Sequence, residues 1–437
     1  MLESHDPYGA LRQPNYRRLL GGGILAALAG EMQAVAVGYE VYQRTSQPWH
    51  LGLVGLVQFL PVLCLALPAG HLVDRWNRKY VLLVALTIMA TASSCLGWVS
   101  YHKGPLPLMY GLLVLAGVGR AFAMPARWAL LPQVVPAHLL SNAVTWNSSG
   151  WQLATISGPA LGGLVIATFD PAGAYFSAAI CLMTCMVLIT TLTIHMPARP
   201  AEPSSEPSIE RPPPQVWWAG ARFIWQSKPV LATITLDLFA VLLGGATALL
   251  PVFAERILHV GPVGLGWLRT APSAGALVMA LTLAHSPPLR RPGIALLAAV
   301  AGFGSATILF GLSEVYWLSW AALALTGAFD NISVVVRGTL IQTMTPDPLR
   351  GRVAAINAIF ISSSNELGAF ESGLVAQWLG HVESVVVGGV GTLVVVIAAL
   401  LIWPSLPRLS VGQASSLPNP GQAGSLPHGQ TTPAADS

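Results

Sequence analysis

The sequence is short of charge. Asp, Glu, Lys and Arg make up 9% of its 437 residues, against about one-quarter in an average soluble domain. With 54% hydrophobic residues and a mean hydropathy of +0.62, that deficit excludes a soluble multidomain enzyme. Cysteine is scarce too: there are four, none in a CxxC pair, and Cys181 and Cys185 stand one helical turn apart in an apolar run. Cysteines so placed are core side chains rather than a redox or metal site. No GxxxxGK[ST] loop, HExxH pair or nucleophile elbow occurs. The sequence therefore offers neither an ATP motor nor a catalytic constellation, and no cofactor or metal is expected. The polar first 18 residues contain no apolar core followed by a cleavage site, so the first hydrophobic segment is expected to stay in the protein.

Long apolar segments are abundant. They fall at about 17–43, 50–72, 80–101, 106–131, 142–168, 172–195, 229–255, 262–285, 291–312, 316–344, 352–379 and 383–404, each near the length of a bilayer-spanning helix. The expected fold is an all-α integral membrane protein of twelve transmembrane helices, with both termini on one side. Charge sets the sidedness. With the amino terminus in the cytoplasm, fifteen Lys and Arg residues lie in cytoplasmic segments and three, Arg44, Lys103 and Arg256, in outside loops. Positive residues are retained on the cytoplasmic side during insertion. The net charge of +4 thus reflects topology and needs no nucleic-acid partner; the expected location is the bacterial inner membrane.

The expected organisation is a six-helix bundle over 1–195, a cytoplasmic linker over 196–228, a second six-helix bundle over 229–407 and a disordered tail over 408–437. Within the linker, "PARPAEPSSEPSIERPPP" is too polar and Pro-rich to build a core. The following "QVWWAGARFIWQSK" mixes Trp217, Trp218, Phe223 and Trp225 with Arg222 and Lys228, as suits a helix lying on the membrane surface. The halves repeat each other. "RWALLPQVVPAHLLSNAVTWNS" from Arg127 aligns without a gap on "RGTLIQTMTPDPLRGRVAAINA" from Arg337, 210 residues later. Six spans followed by six in the same orientation form a parallel repeat, which places a binding site between the halves near the midplane.

Charge is concentrated in "GHLVDRWNRK", between the second and third spans, where Asp74, Arg75, Arg78 and Lys79 sit between two uncharged runs. With Gly70, these residues resemble the loop signature of the major facilitator superfamily: Gly, three residues, Asp-Arg, one residue, Gly, Arg, then Arg or Lys. Asn77 replaces the second glycine, and Asn tolerates the left-handed backbone such a turn would need. "GPALGG", with Gly158, Pro159, Gly162 and Gly163 in the fifth span, resembles the antiporter motif of that superfamily's exporters, although Ala154 stands where the family has another glycine. Segments such as "PARWALLPQVVP" and "SSNELGAFESG" are similar to the bacterial branch containing the enterobactin exporter, and the chain is also similar to drug–proton antiporters. The resemblance implies two six-helix bundles around a cavity lined by spans 1, 4, 7 and 10. It also implies a latch in which Asp74 meets the amino-terminal end of span 11 in the outward-open state. Here Arg350 and Arg352 are further partners, and a carboxylate at a helix amino terminus is electrostatically sound.

Ionisable residues inside spans are costly and face the bundle interior or a water-filled cavity. They are Glu31 and Glu40 in span 1, Arg120 and Arg127 in span 4, Asp237 in span 7, Arg269 in span 8, Asp330 and Arg337 in span 10, and Glu366 and Glu371 in span 11. Arg120 and Asp330 are repeat-equivalent and of opposite sign, and each is followed seven residues later by an arginine, Arg127 and Arg337. These four are the cavity candidates, with structural ion pairing an equal alternative for Arg127 and Arg337. Glu31, near mid-span, is the first candidate for proton coupling and Asp237 the second, since a carboxyl held away from water exchanges its proton more readily near neutral pH.

The expected function is a proton-driven exporter of a small amphipathic molecule such as a siderophore or drug, acting as a monomer and using the proton gradient in place of a cofactor. A lysolipid or lipid flippase on the same scaffold and a non-transporting membrane sensor remain open. Topology is directly testable. Cysteines introduced near Lys103 and near Val260 should react with an impermeant reagent from outside the cell, and one near Ser205 should not; outside labelling at Ser205 would overturn the twelve-span arrangement.

Overall fold

A computed structural model describes residues 6–193, 215–287 and 291–408. Most of the Pro-rich linker, most of the tail and the side chains of Trp217 and Trp218 lie outside the described residues. Helix accounts for all the regular structure described. The first half contains α1 (Pro14–Thr45), α2 (Trp49–Arg75), α3 (Arg78–Tyr101) and α4 (Leu106–Val134). The run Leu140–Thr190 then breaks at Phe169 and Asp170, whose backbone is not helical, and so supplies two spans, α5 (140–168) and α6 (171–190). A short helix, α7 (Gln215–Gln226), precedes the second half. That half comprises α8 (Lys228–Ile257), α9 (Gly261–Ala284), α10 (Pro292–Leu312), α11 (Tyr316–Met344), α12 (Arg350–Leu379) and α13 (His381–Ile402). Among the described residues nine helical stretches are long and apolar enough to cross a bilayer, and because the broken one supplies two spans they make ten. The more polar α9 and α12 complete the twelve.

The helices run antiparallel, so the molecule has a proximal end, which carries the amino terminus, and a distal end. Five of the six distal connections contain a residue with positive φ: Ser46, Lys103, Asp170, His259 with Gly261, and Gly380. A left-handed step helps the chain reverse there within one to four residues; the connection between α10 and α11 reverses over 313–315 without one. The proximal ends preserve the repeat. A 3-10 turn at Ala137–Leu139 follows α4, and its counterpart at Asp347–Leu349 follows α11, again 210 residues apart. Both are preceded by a proline of nearly equal backbone angles, Pro136 and Pro346.

Packing between the halves is asymmetric along their length. At the distal end one hydrophobic cluster joins them, with Val37 and Val41 of α1 and Leu51 of α2 meeting Leu250 and Phe253 of α8 and Leu268 of α9. At the proximal end the clusters are separate, one confined to the first half and two to the second. The halves touch along α5–α9 and α2–α12, where glycines bring backbones together. A Cβ on Gly163 would collide with the Pro262 carbonyl oxygen, and one on Gly266 would lie 2.6 Å from the Pro159 oxygen. Apolar helices in lipid gain little from burial, so close backbone approach of this kind supplies their attraction. The molecule is closed distally and open proximally.

The second half also encloses charge. Arg337 of α11 forms an ion pair with Asp237 of α8, both almost fully buried, and Ser333 donates a 3.3 Å hydrogen bond to the Asp237 carboxylate. Breaking a buried pair by removing one partner costs about 3–5 kcal/mol, because the other charge is left uncompensated. Arg337→Ala should therefore lower the melting temperature of the purified protein sharply. The Asp237→Asn/Arg337→Gln double variant, which removes both charges, should recover much of the loss. Equal melting of single and double variants would show that the pair carries no such role.

Candidate functional site

Between the halves lies a cavity of about 450 Å³. Its distal limit is the shared hydrophobic cluster, reached at Gly38, Leu51 and Pro251, and it extends proximally along α1 to Leu19 and Gly23. Five charged side chains line it: Glu31 of α1, Arg120 and Arg127 of α4, Arg269 of α9 and Glu366 of α12. All five are half-buried, as expected for ionisable groups facing a water-accessible cavity rather than lipid.

Glu31 is positioned by the glycine motif. A Cβ on Gly158 would stand 2.6 Å from the Glu31 Cβ, and one on Gly162 3.1 Å from the Cα of Met32. With no side chain at either position, α5 lies directly against α1, while Pro159 and Gly163 face α9. One motif thus sets both the seat of Glu31 and the contact between halves. Arg120 donates to the Gln58 amide oxygen at 3.3 Å. Arg127 lies over Gly23, to whose carbonyl it donates at 3.4 Å, and donates to the Asn147 side-chain oxygen at 2.6 Å. Arg269 and Glu366 enter from the second half, and Gly55 of α2 leaves room for the Glu366 carboxylate, whose Oε2 would be 2.8 Å from a Cβ there.

Three expected residues are elsewhere. Asp237, Asp330 and Arg337 do not line the cavity; Asp237 and Arg337 are paired inside the second bundle, and Asp330 borders a small void there with Asp237 and Ser333. The expectation that spans 7 and 10 contribute cavity charges is thereby corrected: the second half supplies them from spans 8 and 11. The repeat explains the divergence. At the same offset of 210, Asp237 corresponds to Ala27. Arg337 has a carboxylate facing it, while Arg127 has none and points to amide, carbonyl and cavity. Arg269 and Glu366, ionisable residues within spans to which residue type alone assigns no role, are cavity residues. The signal was there, since every ionisable residue within a span needs a partner or water. Glu40 satisfies that need by pairing with Arg44, whose guanidinium also donates to the Gly104 carbonyl at 2.7 Å.

The proximal loop is described in its separated form. Asp74 and Arg75 are exposed, and among the described residues Asp74 has no ion-pair partner. Arg350 pairs instead with Asp347 at 2.6 Å and donates to the Gln342 carbonyl, while Arg352 packs beneath Gly220 of α7. Lys79 donates to the Thr190 and Leu192 carbonyls, each at 2.8 Å, a cation at the carboxyl end of α6 where the helix dipole favours it. Asn77 corrects an expectation. Its backbone is extended, not left-handed, and its side chain caps α3 by accepting from the Lys79 N–H at 3.0 Å. Replacing glycine by asparagine at this point supplies a helix cap. A Cβ on Gly70 would meet no neighbouring atom within 4 Å.

The chain is similar to known proteins in sequence and in fold. The family model described as transmembrane secretion effector matches residues 5–426. The enterobactin exporter EntS of Escherichia coli O1:K1 is 25% identical over 422 residues, covering 93% of this chain and 94% of the relative, and that of Shigella boydii serotype 18 matches equally. Among solved structures, a bacterial homologue of the human lysosomal transporter Spinster, inward-facing and unoccupied, superposes with a TM-score of 0.68 at 13% identity, over 90% of this chain and 97% of that one. The nucleoside transporter NupG gives 0.67 at 13% identity, over 89% and 99%. These identities support the fold alone, whereas the family match spans nearly the whole sequence. The chain therefore belongs to the transmembrane secretion effector family and is a multi-pass secondary transporter of the major facilitator kind.

Proposed function

We propose that this transporter is a proton-coupled exporter of a small amphipathic molecule, seated in a bacterial inner membrane with both termini in the cytoplasm. The carrying observation is Glu31 facing the cavity between the halves against Gly158 of the exporter-type motif. A cavity of about 450 Å³ is in the range that takes drug-sized molecules, and the exporter relatives make a siderophore the natural trial cargo. The proton gradient is the energy source, and a monomer contains every part. In this reading the proximal opening admits cargo from the cytoplasm. Approach of the proximal ends then brings Asp74 to the start of α12, where Arg350 and Arg352 await it, and exposes the cavity on the other side. Proton and cargo occupy Glu31 in alternation, with Arg120 holding cargo or tuning the carboxyl.

Two variants test the proposal in proteoliposomes, with enterobactin and an aromatic dye as trial cargos. Glu31→Gln keeps the shape but not the titration. It should abolish accumulation against a gradient while retaining downhill exchange; continued uphill transport would move the proton site, with Glu366 next in line. Asp74→Asn should express normally yet lower transport by about tenfold or more, a barrier change of about 1.4 kcal/mol. Wild-type transport by that variant would reduce the loop to a topological signal.

A further inference from the structure

The cavity contains four charges that direct bonds leave unanswered. Glu31 and Arg120 come from the first half, Arg269 and Glu366 from the second. Among the described residues none of the four belongs to an ion pair within 4.0 Å, and the bond from Arg120 to Gln58 is the one hydrogen bond of their side chains. They are nonetheless in each other's fields. All four side chains line the same cavity of about 450 Å³, two from each half. The other titratable groups on the wall are Arg127, occupied by Asn147 and Gly23, and the Cys185 thiol packed against Gly22.

Charges withdrawn from bulk water are costly until a partner with good geometry meets them. A simple anion would satisfy the two arginines and be repelled by the two carboxylates, and a simple cation would do the reverse. A molecule carrying both signs satisfies all four, and selectivity follows from what the wrong charge leaves unpaired. We infer that the cargo is a zwitterion, its anionic group held between Arg120 and Arg269, its cationic group between Glu31 and Glu366, and its apolar body against Met89, Met124 and Trp151. The inference rests on the proposal that this cavity is the cargo site, and it makes Arg269 and Glu366 binding residues. It also suits exchange for protons, because a cationic cargo group and a proton are alternative occupants of the same carboxylates.

Four forms of one dipeptide test it by equilibrium binding to the purified full chain, with no gradient present. Phenylalanyl-phenylalanine is the zwitterion, its amide the cation, its N-acetyl form the anion and the N-acetyl amide the neutral form. The zwitterion should bind at least about tenfold more tightly than the other three, about 1.4 kcal/mol. Arg269→Gln should bring it down to the level of the amide, and Glu366→Gln to that of the N-acetyl form. Arg269→Lys, which keeps the charge, should preserve the ranking and so exclude a folding defect as the cause. Three results would overturn the inference: a neutral or singly charged form binding as tightly, no binding of the zwitterion at about 10 mM, or an unchanged ranking in Arg269→Gln and Glu366→Gln. Loss of gradient-driven export with the ranking intact would remove the transport proposal and leave this one standing.

Discussion

The cost of placing charge in hydrocarbon governs this molecule. With 9% of its residues charged, the chain has few ionisable groups, and each one inside a span must find a partner or water. The structure meets that demand in two ways. Glu40 with Arg44, one turn apart within α1, and Asp237 with Arg337, which ties α8 to α11, are closed pairs. Glu31, Arg120, Arg127, Arg269 and Glu366 face the cavity instead. The charges of the second group stay open to the cavity. The repeat sharpens the distinction: Arg127 and Arg337 are equivalent by sequence, yet the partner at Asp237 has become Ala27 in the first half, which frees Arg127 for the cavity.

A second constraint follows from the same solvent. Lipid gives apolar helices no hydrophobic reason to associate, so the halves meet where backbones approach closely. Gly163 and Gly266 provide this between α5 and α9, as do Gly52 and Gly373 between α2 and α12. These contacts, together with the shared distal cluster, leave the proximal ends free to part. In the proximal-open form Asp74 is exposed and Arg350 turns to Asp347. The loop signature is consistent with a contact that belongs to the other state of the cycle.

Seen together, the glycine motif and the carboxylate form one device. Gly158 seats Glu31, and Gly163, five residues on, meets the second half. A shift of α5 along α9 would thus be felt at the acid. A single helix, α5, carries both contacts.

How far the sequence reached is clearest at particular residues. The twelve spans, the offset of 210 and the two signatures followed from local patterns: runs of apolar side chains long enough to cross a bilayer, and glycines spaced for one helix face. The break at Phe169–Asp170 and the surface helix over Gln215–Gln226 were equally local. The composition of the cavity was not. Which in-span charges pair and which stay open depends on rotations of helices distant in sequence, so Asp237 and Arg337 closed on each other while Arg269 and Glu366, from spans expected to lie outside the cavity, turned into it. Asn77 shows the same limit on a smaller scale: the residue type allowed a left-handed turn or a helix cap, and the start of α3 selected the cap. The sequence by itself determined that the chain spans a membrane in two related halves, because transfer free energy depends on residue type alone. Only the tertiary structure decided which charges face the cavity, because an electrostatic partner is a matter of distance in space.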